Sequence, residues 1–141
     1  MKKASLFLLF MVMMSSTAHA QTKVGDKLGG GVVISVSADG KTIVVAETKD
    51  QGSSDWNGAT ALIANAANHS DAGKQFTNWR LPSKEELALM YSLRTTIGGF
   101  SGSYWSITVG KGQVATFDFS TGKLNILPKS SICKIRSVRT I

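Results

Sequence analysis

The chain has 141 residues, a formal net charge of +7 and a single cysteine. This length suits one ordinary domain with one hydrophobic core. A single cysteine excludes a disulfide within the chain, so core packing must stabilise the fold. Cys133 lies in the apolar stretch SSICKIRSV, which favours a buried, unreactive thiol over a bridge to another chain.

The first twenty residues have the pattern of a cleavable secretory signal peptide. Lys2 and Lys3 form a basic start, an apolar run follows over 6–14, and small residues precede a cleavage site after Ala20. We therefore expect residues 21–141 to be exported as a single domain, to the periplasm, the cell surface or the medium. No later run has the roughly 18 apolar residues that a membrane span needs.

The positive charge of the exported part is concentrated near its C-terminus. Loss of the signal peptide removes two lysines and lowers the net charge from +7 to +5. Residues 21–118 carry nine basic and nine acidic side chains, whereas residues 119–141 carry five basic ones and no acid. Such a segment favours an anionic partner. Solvated lysines on strand edges would give the same pattern.

A pair of strands is predicted at the start of the exported part. Residues 32–37 and 42–47 are rich in β-branched side chains, and Asp39-Gly40 between them is typical of a tight hairpin turn. The glycine run at 29–31 precedes a strand and lacks the lysine–serine pair of a Walker motif. It therefore does not indicate a nucleotide site.

A helix is predicted over DWNGATALIANAANHS, residues 55–70. Its apolar side chains, Trp56 among them, recur at the helical period, and Ser54 or Asp55 is placed to cap its start. His69, near its end, is the only histidine outside the signal peptide. A zinc site is not expected because no second histidine or cysteine lies beside it, and we expect His69 at the surface.

The stretch TNWRLPSKEEL begins a second predicted helix. Ser83 and Glu86 form a capping box, in which each side chain accepts a backbone N–H of the other residue. Pro82 lies just before the cap, where it costs no helical hydrogen bond. The apolar positions that follow cover a wide arc, which predicts a largely buried helix. They are Leu87, Leu89, Met90, Tyr91 and Leu93.

Four short strands are predicted after Gly98-Gly99, separated by turn-like sequences. They are SYWSIT, QVATFDF, KLNIL and ICKIRSV, at residues 103–108, 113–119, 123–127 and 132–138. Two helices between two β segments predict an α+β fold with antiparallel sheets.

Four motifs in the same order resemble the DUF1566 family, which includes the C-terminal domain of the Legionella collagen-like adhesin. They are GGGVVISVSADGKTIVVA with DQGSSDWNGA, then NWRLPSKEELALMY, then IGGFSGSYWSIT, and finally IRSVR. The resemblance covers nearly all of residues 21–141. This chain departs from the family at Asn78, where aspartate is usual, at Ile107, which replaces a serine, and in lacking the cysteine partner of some members.

The resemblance implies a C-type-lectin-like fold, with two helices packed on curled antiparallel sheets and the N- and C-terminal strands paired. The strand at 32–37 would pair with the strand at 134–138. Trp79 and Trp105 would be core anchors with bonded indole N–H groups. A mainly structural role is implied for Trp56, Trp79, Arg80, Leu81, Pro82, Ser83 and Glu86.

The sequence indicates no catalytic arrangement, and we predict that the chain is not an enzyme. His69 and Cys133 are each alone, which argues against Ser-His-Asp and Cys-His chemistry. Formylglycine-generating oxidases share the fold that the resemblance implies, but they need a reactive cysteine pair. This chain has one cysteine and cannot supply it. Nothing marks a carboxylate pair for glycoside hydrolysis, and YWSITVGKGQ lacks the oxygen ligands of a calcium-dependent sugar site. We expect no metal or cofactor.

Two non-enzymatic functions remain open. One is adhesin-like recognition of an anionic polysaccharide or surface glycan, with Tyr104, Trp105, Lys129, Lys134, Arg136 and Arg139 as the ligand-binding set. Lys134 and Arg136 would leave one strand on the same face, unless they pair with an acid such as Asp118. The other function is a structural or protein-interaction domain of a cell-envelope or surface assembly. Nucleic acid is a poor partner for an exported chain.

Overall fold

The computed structural model describes residues 21–141, so the predicted signal peptide lies outside the described residues. The strands are β1 Lys27–Leu28, β2 Gly31–Val36, β3 Ile43–Ala46, β4 Gly52–Ser54, β5 Ser103–Gly110, β6 Gln113–Asp118, β7 Lys123–Pro128, β8 Cys133–Ile135 and β9 Val138–Thr140. The helices are α1 Ala59–Ala64, α2 Lys84–Ser92 and α3 Arg94–Ile97, with a 3-10 turn at Ala66–Asn68. This order confirms the predicted α+β class. In the described part, no helix is long and apolar enough to cross a membrane.

The first predicted strand pair is confirmed as the hairpin β2–β3. Gly40 has a φ of 73° in its turn, where a residue with a Cβ would be strained. Asp39 accepts hydrogen bonds from the Ser37 hydroxyl and the Lys41 N–H. The Ser37 N–H donates to the Thr42 carbonyl, so the loop is longer than a two-residue turn. The glycine run before β2 serves packing, since a Cβ at Gly31 would lie 2.1 Å from the Ala46 carbonyl oxygen.

The C-terminal segment predicted as one strand is two strands in different sheets. One sheet has the order β1-β2-β3-β9, and the other has the order β4-β8-β5-β6-β7. The predicted pairing of 32–37 with 134–138 is therefore wrong. β9 lies in the sheet of β2, but β3 separates the two strands, and β8 belongs to the other sheet. β8 also runs parallel to β5, so the sheets are not wholly antiparallel.

The first predicted helix is much shorter than its apolar pattern. Gly58 is the N-cap of α1 without a side-chain bond, and Asp55 accepts the Gly58 N–H just before it. Asn65 is extended and ends the helix, and its side chain accepts the Ala67 N–H of the following 3-10 turn. Asparagine offers such local bonds to the backbone in competition with the helix, and the periodicity of the apolar residues does not reveal this.

The start of the second helix is as predicted, but its burial is not. The Ser83 hydroxyl accepts the Glu86 N–H at 3.1 Å, and Glu86 accepts the Ser83 N–H at 2.8 Å, which completes the capping box. On α2 only Leu87 and Met90 are fully buried. Leu89 is 40% exposed, so α2 packs through one face rather than all round.

The central strands β5 and β6 of the five-stranded sheet are buried on both faces by two core clusters. The main cluster lies between the sheets, where α2 also packs; it comprises Val32, Ile34, Val44, Ala46, Leu87, Met90, Ile97, Tyr104, Phe117, Phe119 and Val138. The second cluster includes α1 residues and comprises Ala59, Leu81, Trp105, Val114, Cys133 and Ile135. Burial on both faces explains why β6 carries apolar or small side chains at successive positions.

Candidate functional site

The tryptophan corner, residues 77–82, is tied to the fold by its own contacts. The indole of Trp79 is buried and donates to the Gly73 carbonyl at 3.0 Å. Arg80 exchanges both backbone hydrogen bonds with Val138 of β9. Its guanidinium also makes a two-pronged ion pair with Glu86, at 2.7 and 2.9 Å. The corner therefore joins α2 to the C-terminal strand.

The ion pair changes the acidity of the capping-box glutamate. Burial acts to raise the pKa of Glu86, but the hydrogen bonds from Arg80 and from the Ser83 backbone favour its carboxylate form. The pKa of Glu86 is lowered as a result. One carboxylate thus serves both the helix cap and the arginine.

Both aromatic residues predicted to stack on a sugar are buried, which corrects their assignment as ligand-binding residues. Trp105 is fully buried, and its indole N–H donates to the Ser54 carbonyl at 2.8 Å. Tyr104 is also fully buried, and its hydroxyl donates to Asp50. The two rings lie on opposite faces of β5 and belong to different core clusters. Trp56 is half-buried and donates to the Ser106 carbonyl.

Arg136 is a buried structural residue rather than an exposed cation, which is a second correction. Its Nε lies 2.7 Å from Asp50 Oδ1. Its other nitrogens donate to the carbonyls of Glu47, Gly98 and Gly99. Lys134 and Arg136 both bond to the segment 98–101, but Arg136 is covered there and is buried, whereas Lys134 stays half-exposed. Pairing with an acid was the alternative reading, and the acid is Asp50 rather than Asp118.

Arg139 is also held by the fold and nearly buried. It donates to Asn78 Oδ1 at 2.8 Å and to the Gly29 carbonyl at 2.6 Å, and its guanidinium lies over the ring of Phe76. Burial lowers the pKa of Arg139. Arg136 and Arg139 are therefore not available to form a free basic surface with Lys134.

The remaining two predicted ligand residues are half-buried lysines. Lys134 donates to the Ser101 hydroxyl, and Lys129 lies over the ring of Trp56, with 4.7 Å from its nitrogen to the ring centroid. Their partial exposure leaves them available to solvent. Of the six predicted ligand residues, only these two lysines remain partly exposed.

His69 is buried, although the sequence placed it at the surface. Its Nδ1 lies 2.9 Å from Glu47 Oε2, its Nε2 lies 2.7 Å from the Ile63 carbonyl oxygen, and its ring stacks on Trp79. Both ring nitrogens therefore have a polar partner inside the fold. The sequence predicted one helix over 55–70, with His69 near its end. In the structure α1 ends before the extended residue Asn65, and this break changes the direction in which His69 points.

Three side chains that could take part in catalysis, Cys133, His69 and Glu47, are buried. Burial raises the pKa of the Cys133 thiol to about 11 and disfavours the reactive thiolate. His69 and Glu47 are engaged with each other inside the protein. Residues 21–141 contain no group of three or more histidine, cysteine or acidic side chains that could hold a metal ion.

The most distinctive exposed feature is the outer strand β7 with the apolar groove between it and α2, which we name the β7 groove. β7 is an edge of the five-stranded sheet. Leu124 and Ile126, on its helix-side face, are 49% and 64% exposed. Two adjoining depressions of about 270 and 250 Å³ form the groove. Their lining includes Lys84, Glu85, Ala88, Ala115, Phe117, Leu124 and Ile126.

A second cleft, of about 370 Å³, lies beside the tryptophan corner. Its lining is mostly apolar and includes Ile63, Leu81 and Ile107. Arg80 is the one charged residue of the lining, and Glu86 already neutralises it. A ligand in this cleft would therefore contact mainly apolar side chains and no unpaired charge.

No protein-family model and no curated protein matches the chain. Similarity therefore supplies no ligand or activity. The resemblance to the DUF1566 family stays a prediction from the four sequence motifs. A function therefore has to be argued from the β7 groove.

Proposed function

We propose that the chain is an exported, non-enzymatic protein-interaction domain of a cell-envelope or surface assembly, and that it holds an extended segment of a partner along β7. The observation that carries this proposal is an unpaired six-residue edge strand with two exposed aliphatic side chains. An extended segment can add to such an edge by backbone hydrogen bonds, as in β-augmentation.

Backbone hydrogen bonds do not depend on the partner's side chains, so the β7 groove has to provide the selectivity. Since side chains of a strand alternate between faces, an added segment places every second side chain over the helix side of the sheet. There it meets Leu124 and Ile126, with Lys84 and Glu85 at the border of α2. A preferred partner has aliphatic or aromatic residues at alternate positions and is uncharged between them.

Selection of extended peptides from a random displayed library tests this proposal. Wild-type protein should enrich peptides with alternating apolar residues, and Ile126→Lys should weaken their binding at least about tenfold. Ile132→Lys is the matched control, because Ile132 is 69% exposed but lies outside the lining of the groove. Enriched peptides that bind both variants equally would place recognition elsewhere and reject the proposal.

Recognition of an anionic glycan is the weaker candidate. It is supported by the basic C-terminal segment and by the resemblance to an adhesin domain, but four of its six expected contact residues are buried. Retention of the exported protein on a heparin column measures it directly. Strong, salt-sensitive retention that Lys129→Ala and Lys134→Ala reduce would reverse the order of the two candidates.

The resemblance also supplies a proposed fold family and destination. We propose a DUF1566-like domain with a C-type-lectin-like fold, released after Ala20. Support comes from the order of the four motifs and from β9, which returns to the sheet of the first hairpin. N-terminal sequencing of exported protein should begin at Gln21, and an intact N-terminus would reject cleavage.

A further inference from the structure

We infer that the extended segment held at β7 is β7 of a second copy of this chain, in an antiparallel pair centred on Asn125. This inference rests on the proposed function and names its partner. Three properties support it. The edge of β7 is unprotected between its two ends, its sequence complements itself in an antiparallel pair, and a two-fold pair leaves no long edge free.

The protection of the β7 edge is confined to its two ends, Lys123 and Pro128, and the residues between them carry no charge. The other outer strands β1, β4 and β9 have two or three residues each, whereas β7 has six. Within β7 the only charge is Lys123. Sheet proteins commonly protect a long edge with charges, a bulge or a covering segment. The six β7–β6 pairs are regular and show no bulge. A long, regular and apolar edge of this kind is expected to be occupied.

The sequence of β7 complements itself when Asn125 faces the partner's Asn125. Residues that lie opposite each other in an antiparallel pair point to the same face. Leu124 then lies opposite the partner's Ile126, and Ile126 lies opposite the partner's Leu124. Both contacts lie on the helix side of the sheet, where Leu124 and Ile126 are exposed in one copy. The two grooves join across the two-fold axis.

The charges and the proline select the same register. Lys123 lies opposite the partner's Leu127, which separates the two Lys123 residues by four strand positions, or about 14 Å. That distance exceeds the Debye length of about 8 Å, so their repulsion is screened. Pro128, which has no N–H to donate, falls just outside the five paired residues. A shift toward the start of β7 would bring the lysines together, and the opposite shift would bring Pro128 into the pair.

A second copy also limits the assembly. A two-fold contact uses the same surface on both subunits and closes on itself. After pairing, the joined sheet ends in the three-residue strand β4 at both sides. The dimer therefore covers the long edges without starting a fibre. A different protein bound at β7 would occupy the edge of one chain only. It would not account for the way the β7 sequence complements itself.

Sedimentation of the exported protein from low micromolar to several hundred micromolar concentration measures the dimer. Wild type and Ile132→Lys should approach twice the monomer mass as concentration rises. Ile126→Lys should stay monomeric over the range, with a circular dichroism spectrum equal to that of wild type. A dimer that survives Ile126→Lys overturns the inference, because its contact would lie elsewhere.

Cross-linking tests the register. Opposed residues in an antiparallel pair have Cα atoms about 4.5–5.5 Å apart, which suits a disulfide. Asn125→Cys should form a covalent dimer on mild oxidation. Thr121→Cys, also exposed but outside β7, should form at least about tenfold less. The native Cys133 is buried in both variants. Equal yields for the two variants would overturn the register.

The two proposals fail in different ways. A chain that is monomeric at every concentration, yet binds selected peptides at β7, overturns the second copy and keeps the interaction function. A dimer that depends on Ile126, with no peptide enriched, supports the second copy as the sole occupant of β7. Absence of both a dimer and peptide binding overturns both.

Discussion

At the scale of single residues, buried hydrogen-bonded side chains hold this fold together. His69 and Glu47 form a fully buried pair, and Glu47 also accepts the Thr48 N–H. Removing one member leaves a buried polar group of the other without its partner, which costs about 1–3 kcal/mol. His69→Ala should therefore lower the free energy of unfolding in urea by that amount.

A double-mutant cycle is the control for this prediction. Glu47→Ala should cost a similar amount, and the double variant should cost less than the sum of the two single changes. If His69 were a surface residue, as its sequence context suggests, its replacement would change the free energy of unfolding by less than about 0.5 kcal/mol.

Arg136 allows a direct comparison of a structural cation with a half-exposed one. Arg136→Ala removes the partner of Asp50 and leaves three carbonyls without their donor, and we expect a loss of about 3–5 kcal/mol. Lys134→Ala, two positions away, should cost less than about 1 kcal/mol. Urea unfolding of both variants measures the difference. Similar small losses would return Arg136 to the surface role that its alternation with Lys134 predicted.

At the scale of elements, the start of α2 depends on pH through one carboxylate. Glu86 has a lowered pKa in the folded protein, so its ionised form stabilises the fold at a pH above the ordinary glutamate pKa of 4.5. This contribution is lost as pH falls through the lower pKa of the folded state. Glu86→Gln should unfold at lower urea concentration than wild type at pH 7, and the two midpoints should approach each other as pH falls through the lowered pKa of Glu86. A constant difference from pH 7 to pH 3 would show that the charge of Glu86 is not involved.

Elements with a local chemical signal were predictable from the sequence, and those decided by distant contacts were not. The capping box at Ser83 and Glu86 and the hairpin around Asp39-Gly40 are confirmed because their own side chains make the decisive bonds. The helix over 55–70 and the strand over 132–138 are broken where Asn65 and Arg136 bond elsewhere. Periodicity records apolar spacing and carries no information on these bonds.

The candidate site shows the same limit. The sequence predicted KLNIL as a strand, but its place at the edge of a sheet depends on the strand order. Tyr104 and Trp105 were candidate ligand residues in the sequence, yet both faces of β5 are covered once the second sheet, α1 and α2 are packed. The core position that the family resemblance implied for Trp105 is confirmed. Exposure is a property of the whole arrangement, so neither the β7 groove nor the burial of Tyr104 could be predicted from local sequence.

At the scale of the whole molecule, the last residues connect parts that are far apart in sequence. β9 pairs with β3, the Val138 backbone bonds Arg80 of the tryptophan corner, and Arg139 bonds Gly29 before β2. Three residues thus join the first sheet, the corner and the N-terminal loop. Since a domain of this size has only about 5–15 kcal/mol of net stability, the loss of all these contacts should exceed what the fold can tolerate.

We therefore expect deletion of 138–141 to abolish the cooperative unfolding transition of residues 21–141, measured by tryptophan fluorescence in urea. Ile141→Ala is the control, because its half-exposed side chain is removed while the β9 backbone stays in place, and it should cost less than about 1 kcal/mol. A truncated chain that still unfolds cooperatively, within about 2 kcal/mol of wild type, would show that the first hairpin and the corner hold together without β9.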